Sequence, residues 1–313
     1  MSHEWGQPPF SPRHERGTVM LDDHVTLVNV AFRMLGSMHD AEDIVQDAYA
    51  RWYALSDEAR QAIRSPTAWL VRVTCRICLD QLTSARARRE RYVGDWLPEP
   101  LPDDARWAST ASTRTGDPAE RVTIDDSVSM GMLVMLESVT PAERVVFVLH
   151  DVFNLPHTEI ADIVRRTPEA CRQLGASARR HLQSDRRRAV DVRQHRDIVT
   201  AFRNACEHGD FDTLISLLDP NVSVRIDGGG KARAARRPIL GSAKTARYFL
   251  GLLRRKFVQE ITEENVNGLP GLVSHVKGEI NGVMAMAVRD GLITDIWLIA
   301  NPDKLHAWQD SAR

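Results

Sequence analysis

The sequence has no apolar run approaching the roughly 18 residues that a membrane-spanning helix needs, and it has only four cysteines in 313 residues. The first absence removes any membrane helix, and no membrane partner is expected. The second removes a disulfide-built scaffold. Residues 1–18 are polar and lack the apolar core of a signal peptide, so 1–19 read as a disordered leader of a cytoplasmic protein. Cys75 and Cys78 form a Cys-x-x-Cys, but no second ligand pair accompanies them and they fall inside a helical pattern. Packing is the expected role, with no metal and no cofactor. A strong net charge is missing too: the formal value is −1.

What is there is an uneven distribution. Arg86, Arg88, Arg89 and Arg91 crowd one helix end, and a second cluster runs from Arg165 to Arg188, while acids gather at 40–47 and 102–126. Arginine grips phosphate and the guanine edge bidentately, so two arginine-rich helices point to DNA more strongly than the total charge suggests. A solvated helical face would carry the same charges.

Four stretches follow the leader. Residues 20–93 read as helices: Val25, Val28, Phe32 and Leu35 recur at helical spacing and end at Gly36, a second helix starts near Asp40 as its cap, and Ser65-Pro66 opens a third. Residues 94–127 lose all periodicity and form a linker, stiff at first through its prolines. Trp96 and Leu97 are unusual there and suggest docking, although scattered surface hydrophobes are common.

Residues 128–192 are helical again. Thr140-Pro141-Ala142-Glu143 matches a capping box. A short helix from His157 to Val164, a tight connection and a longer helix opened by Thr167-Pro168 form a helix-turn-helix pattern. Residues 193–313 place helices first and alternating strands later, with turn signals at Asn267-Gly268, Asn281-Gly282 and Asp290-Gly291 and a strand spanning Leu272 to Ile280. The whole reads as two all-α domains, the second a helix-turn-helix, followed by an α+β domain with a curved sheet.

Residues 34–52, MLGSMHDAEDIVQDAYARW, resemble the second conserved region of extracytoplasmic-function RNA polymerase sigma factors. Residues 140–182 resemble their fourth region, around Leu155-Pro-His-Thr-Glu159-Ile160-Ala161. The segments Trp96-Leu97-Pro98-Glu99-Pro100, Asp227-Gly228-Gly229-Gly230-Lys231 and Asn301-Pro302-Asp303-Lys304-Leu305 look like the signature of the sigma-J type, which carries a fused SnoaL-like, nuclear-transport-factor-two-like cone.

The resemblance implies that Glu42, Asp43, Gln46 and Asp47 dock on core RNA polymerase. It implies that Arg72, Arg76, Arg86, Arg88, Arg89 and Arg91 contact the −10 element of promoter DNA, although few aromatic side chains stand nearby to stack on unpaired bases. Glu169, Arg172 and Gln173 would read −35 base edges, with Arg179 and Arg180 on phosphates. Trp96 to Pro98, Asp227 to Lys231 and Asn301 to Lys304 would form a regulatory contact between domains. Asp227-Gly-Gly-Gly-Lys231 is no phosphate-binding loop, since Arg225 stands where the first Gly is needed.

Catalysis is not expected: His208, His275, Asp227 and Asp295 form no acid–base motif. A small-molecule ligand in the third domain is a further expectation. The competing readings are a helix-turn-helix regulator with a ligand-binding cone and a cyclase or isomerase of the same fold. The former leaves residues 21–93 without a role.

Overall fold

The computed structural model describes residues 13–89, 92–102, 129–186, 190–235 and 237–311, with side chains described for all of these except 13–23, 85–89, 183–186 and 310–311. Four helices open the chain: α1 (Arg13–Leu35), α2 (Met38–Tyr53), α3 (Asp57–Ala62) and α4 (Pro66–Arg89). Helix α1 starts inside the expected leader, at Arg13. Ser37, extended at φ −132°, caps α2 by accepting from the Asp40 amide; Asp40, the expected cap, sits in the first turn. Ser65 caps α4 through the Ala68 amide. Short α3 has no buried residue and left no apolar period to read.

The second block holds α5 (Met130–Leu136), α6 (Pro141–Phe147) running into a wider π turn over Val148–Val152, α7 (His157–Val164) and α8 (Pro168–Arg186). Both hydrogen bonds of the Thr140/Glu143 capping box form. Arg165 ends α7 in the left-handed conformation, φ 53°, and Thr167 caps α8. One apolar core runs through both blocks. That continuity explains α1, in which every side chain from Leu27 to Leu35 is buried: it lies between its own block and the next, so no face is left for water. Cys75 and Cys78 are fully buried in this core, and desolvation raises both thiols well above the ordinary value.

The third block begins with α9 (Val192–His208) and α10 (Phe211–Leu217), then β1 (Leu218–Asp227), β2 (Ile239–Leu240), α11 (Ser242–Arg254), β3 (Glu260–Val266), β4 (Leu269–Val276), β5 (Glu279–Arg289) and β6 (Leu292–Ile299). The sheet order is β2-β1-β6-β5-β4-β3, antiparallel except where β1 runs beside β6. A 3₁₀ turn (Pro302–Lys304) and α12 (His306–Ser311) follow.

Three hairpin turns have positive φ at both central residues, as the tight mirror-image turns require. Two are Asn267-Gly268 and Asp290-Gly291, as read from the sequence; the third is Lys277-Gly278, not Asn281-Gly282. Asn281 and Gly282 lie inside β5, where Gly282 admits the Ser274 hydroxyl, and the expected single strand from Leu272 to Ile280 is the end of β4, the turn and the start of β5. The charged edge strand β3 gave no alternating apolar signal.

Side-chain alternation gives the sheet two different faces. Leu272, Met284, Met286, Ile296 and Leu298 point inward to α9 and α11 and form the cone. Val273, Val283, Ala285, Trp297 and Ile299 point outward, and Leu97 of the linker, Met130 and Val134 of α5, and Leu305 and Trp308 cover them.

Candidate functional site

The outer sheet face brings the three blocks together on the linker. Asp227, at the end of β1, is fully buried. Its carboxylate accepts from the Tyr92 hydroxyl at 2.6 Å, the Leu97 amide at 2.9 Å and the Lys304 ammonium at 2.7 Å. Lys304 also donates to the Leu97 carbonyl and lies 4.1 Å from the Trp96 ring centroid. A buried ion pair holds only when its remaining donors and acceptors are met, and here main chain, phenol and indole supply them. Desolvation, with the carboxylate beside it, pushes the Tyr92 hydroxyl upward in pKa.

Asn301 donates to the Tyr92 hydroxyl at 2.9 Å and receives the Asp303 amide. Gly229, at φ 60°, lets Asn301 approach so closely that a Cβ would stand 2.4 Å from it. Only glycine meets both demands without strain. Trp308 donates its indole N–H to the Pro100 carbonyl, and Leu101 exchanges main-chain and side-chain bonds with Asn267. Leu97 is fully buried, which is worth roughly 1.5–3 kcal/mol for an apolar side chain of its size.

The opposite edge of the linker grips the first block. The Glu99 carboxylate accepts from the Met38 amide at 2.8 Å, and the Glu99 amide donates to the Gly36 carbonyl at 2.8 Å. Burial raises the Glu99 carboxyl above its ordinary value, against the lowering effect of these bonds. The linker is therefore clamped between the α1–α2 corner and the third block.

The helical blocks also hold each other. Arg144 of α6, buried, donates to the Met34 carbonyl at the end of α1 and pairs with Glu137 at 2.6 Å; desolvation lowers its guanidinium to about 9. Arg33 of α1, fully buried, is held by Asn29 and lies 5.7 Å from the Phe153 ring centroid. Tyr92, Arg33, Arg144 and Trp308 escaped the sequence reading, and Asn267 was read only as a turn residue, not as a partner of Leu101. Only Tyr92 gave a signal, as an aromatic side chain four residues before Trp96.

Glu42, Asp43, Gln46 and Asp47 are all exposed on α2, opposite the buried Ala41, Ile44, Val45 and Ala48. Arg72 is exposed, its Nε on the Ala68 carbonyl. Arg76 reaches across the block boundary to the Asp162 carbonyl at 2.9 Å. The side chains of Arg86, Arg88 and Arg89, and all of Arg91, lie outside the described residues.

On α8, Glu169 and Arg172 are exposed and paired at 3.0 Å. Arg179 is held by Asp151 at 2.8 Å, which ties it to the π turn. Gln173 and Arg180 face a cleft of about 970 Å³ whose far wall is Leu79, Asp80 and Thr83 of α4. His208, His275, Asp227 and Asp295 do not line the cavity inside the cone. No helix among the described residues is long and apolar enough to cross a membrane.

Comparison with known proteins accounts for both helical blocks. Residues 22–88 match the family model for Sigma-70 region 2, and residues 130–182 match that for Sigma-70 region 4. The chain is 36% identical over 291 residues to the ECF RNA polymerase sigma factor SigJ of Mycobacterium tuberculosis, covering 89% of each chain. It is 38% identical over 283 residues to a probable ECF RNA polymerase sigma factor SigI of the same organism, covering 89% of this chain and 91% of that one. The crystal structure of the M. tuberculosis extracytoplasmic function sigma factor SigJ superposes with a TM-score of 0.72 at 32% identity, over 93% of this chain and 98% of that one. The region 2 match gives residues 22–88 the role that a plain helix-turn-helix regulator would leave vacant. With both conserved regions, the cone and the whole-length likeness in agreement, the chain belongs to the extracytoplasmic-function family of RNA polymerase sigma factors.

Proposed function

We propose that this sigma factor is held in a closed form by its own third domain, and that opening the linker contact frees its two DNA-reading blocks for the promoter. Sigma factors act by binding core polymerase and promoter DNA, not by bond chemistry. The finer assignments belong to the same proposal and follow the family resemblance. The exposed acidic face of α2, Glu42, Asp43, Gln46 and Asp47, docks on the polymerase. Arg72, Arg76 and the arginines at 86–91 serve the −10 element. Glu169, Arg172 and Gln173 read −35 bases, while Arg179 and Arg180 anchor phosphates.

One observation carries the closed reading: the buried Lys304–Asp227 pair seizes the main chain of Leu97 inside the linker. The linker sets the spacing of regions 2 and 4, and Gln173 and Arg180 meanwhile line a cleft shared with α4. A domain that fixes the linker therefore governs whether two tethered modules can reach two promoter elements at once.

Run-off transcription with reconstituted core polymerase tests this. Alanine replacement of 96–100, or of 227–231, should raise promoter-specific transcription per bound sigma. Unchanged transcription in both variants would remove the regulatory role. Charge reversal at Asp43 and Asp47 should weaken assembly with core polymerase without altering the fold.

A further inference from the structure

The cone contains a cavity that the described chain leaves open. Its deep end is apolar, walled by Phe202, Cys206, Phe249, Leu272 and Met284. Its mouth, about 610 Å³, shares Leu252, Val258, Ser274 and Leu298 with that recess and adds Lys231, Arg233 and Arg255. Among the described residues, these three cations and no acidic side chain line the mouth. The volume falls in the range of small-molecule sites, roughly 300–1,000 Å³.

We infer that this cavity binds a small anion with an apolar body, a carboxylate on an aliphatic or aromatic frame, with its acid group at Lys231, Arg233 and Arg255 and its body along the apolar wall of Tyr248, Leu252, Phe257, Val258 and Leu298, since the recess beyond, about 40 Å³, admits no more than its tip. A neutral apolar molecule would cover the apolar wall but leave Arg233 and Arg255 unused, and a cation would meet like charges at the mouth. Arg233 is steadied over the Phe257 ring, 5.9 Å from its centroid, so its guanidinium is placed at the rim.

The same mouth touches the linker contact. Lys231 is held by Asp303 at 2.6 and 2.8 Å, in a pair more than half exposed and therefore weak. A ligand acid group replaces Asp303 at Lys231 and frees the turn that carries the buried Lys304. This second step rests on the closed reading above, whereas the binding step does not.

Isothermal titration of the full chain with decanoate, decanol and decyltrimethylammonium separates the classes. Decanoate should bind one per chain, at least tenfold tighter than decanol, and the cation should not bind. Replacing Arg233→Gln with Arg255→Gln, both exposed changes, should weaken decanoate at least tenfold and leave decanol unmoved. Equal affinity for all three probes, or a decanoate affinity indifferent to the double variant, overturns the site. Hydrogen exchange at the Leu97 and Asp303 amides should quicken at saturating decanoate; unchanged exchange overturns the coupling. If decanoate binds as expected while the linker variants leave transcription unaltered, the site stands and the closed reading fails.

Discussion

Lys304 places its ammonium 2.7 Å from the Asp227 carboxylate, and both side chains are shut away from water. Removing one member leaves the other charged and buried, at a cost on the order of 3–5 kcal/mol, whereas removing both costs less. Lys304→Met should therefore loosen the linker more than the double change Lys304→Met with Asp227→Asn. Denaturant unfolding and hydrogen exchange at Leu97 read the difference. A single variant as stable as the parent would show that the pair is not what holds the linker.

Two glycines separate backbone conformation from close approach. Gly229 and Gly209 share the left-handed region, at φ 60° and 70°. A Cβ at Gly209 meets nothing within 4 Å, while one at Gly229 strikes Asn301 at 2.4 Å. Gly209→Ala should cost only the conformational penalty, about 1–2 kcal/mol. Gly229→Ala should cost more and should also speed exchange at the Asp303 amide, because Asn301 must move. Equal unfolding midpoints for the two variants would show that the glycine loop does not need that contact.

These contrasts mark where the sequence was legible. Local chemistry that acts over three or four residues was readable: the Thr140/Glu143 box, the Thr167 cap, and the Asn267-Gly268 and Asp290-Gly291 turns. Lys277-Gly278 escaped because lysine carries no left-handed preference, and Asn281-Gly282 misled because a strand can use glycine for close packing instead. The linker contact was visible in part, since two large apolar side chains in a proline-rich stretch need a surface to cover. Arg33 and Arg144 were not visible at all. A charged residue inside an amphipathic helix reads as solvent-facing, and only the meeting of two blocks, remote in sequence, buries it.

Glu99 supplies a pH test. Burial raises its docked carboxyl above the free value. Just above the ordinary carboxylate range the folded chain therefore holds more protons at this site than the unfolded chain, so this contribution to stability is present at low pH and is lost as pH rises through the raised pKa. Glu99→Gln keeps an acceptor for the Met38 amide but cannot titrate. Relative to this variant, the parent should lose stability from pH 4.5 towards neutral, read as the difference in unfolding midpoint across a pH series. A parent that gains on the variant over that interval would mean that the Met38 bond outweighs desolvation.

On α8, Gln173 and Arg180 face the same cleft but should fail in different ways. An amide side chain can pair with the adenine edge in the major groove, so Gln173→Ala should relax preference at one −35 position by about 1–3 kcal/mol of discrimination. A guanidinium on a phosphate carries no sequence information, so Arg180→Ala should weaken all promoters alike and lower the salt slope of binding by about 1. Holoenzyme binding to a set of single-base −35 variants, repeated over a range of salt, measures both. Arg179→Ala provides the third comparison, because its carboxylate partner Asp151 ties it to the π turn. If that tie also holds the helix in place, the variant should lose thermal stability as well as affinity. Arg180→Ala should not, since its side chain is exposed. A loss of base preference from Arg180→Ala, with an unaltered salt slope, would move the phosphate anchor elsewhere on α8.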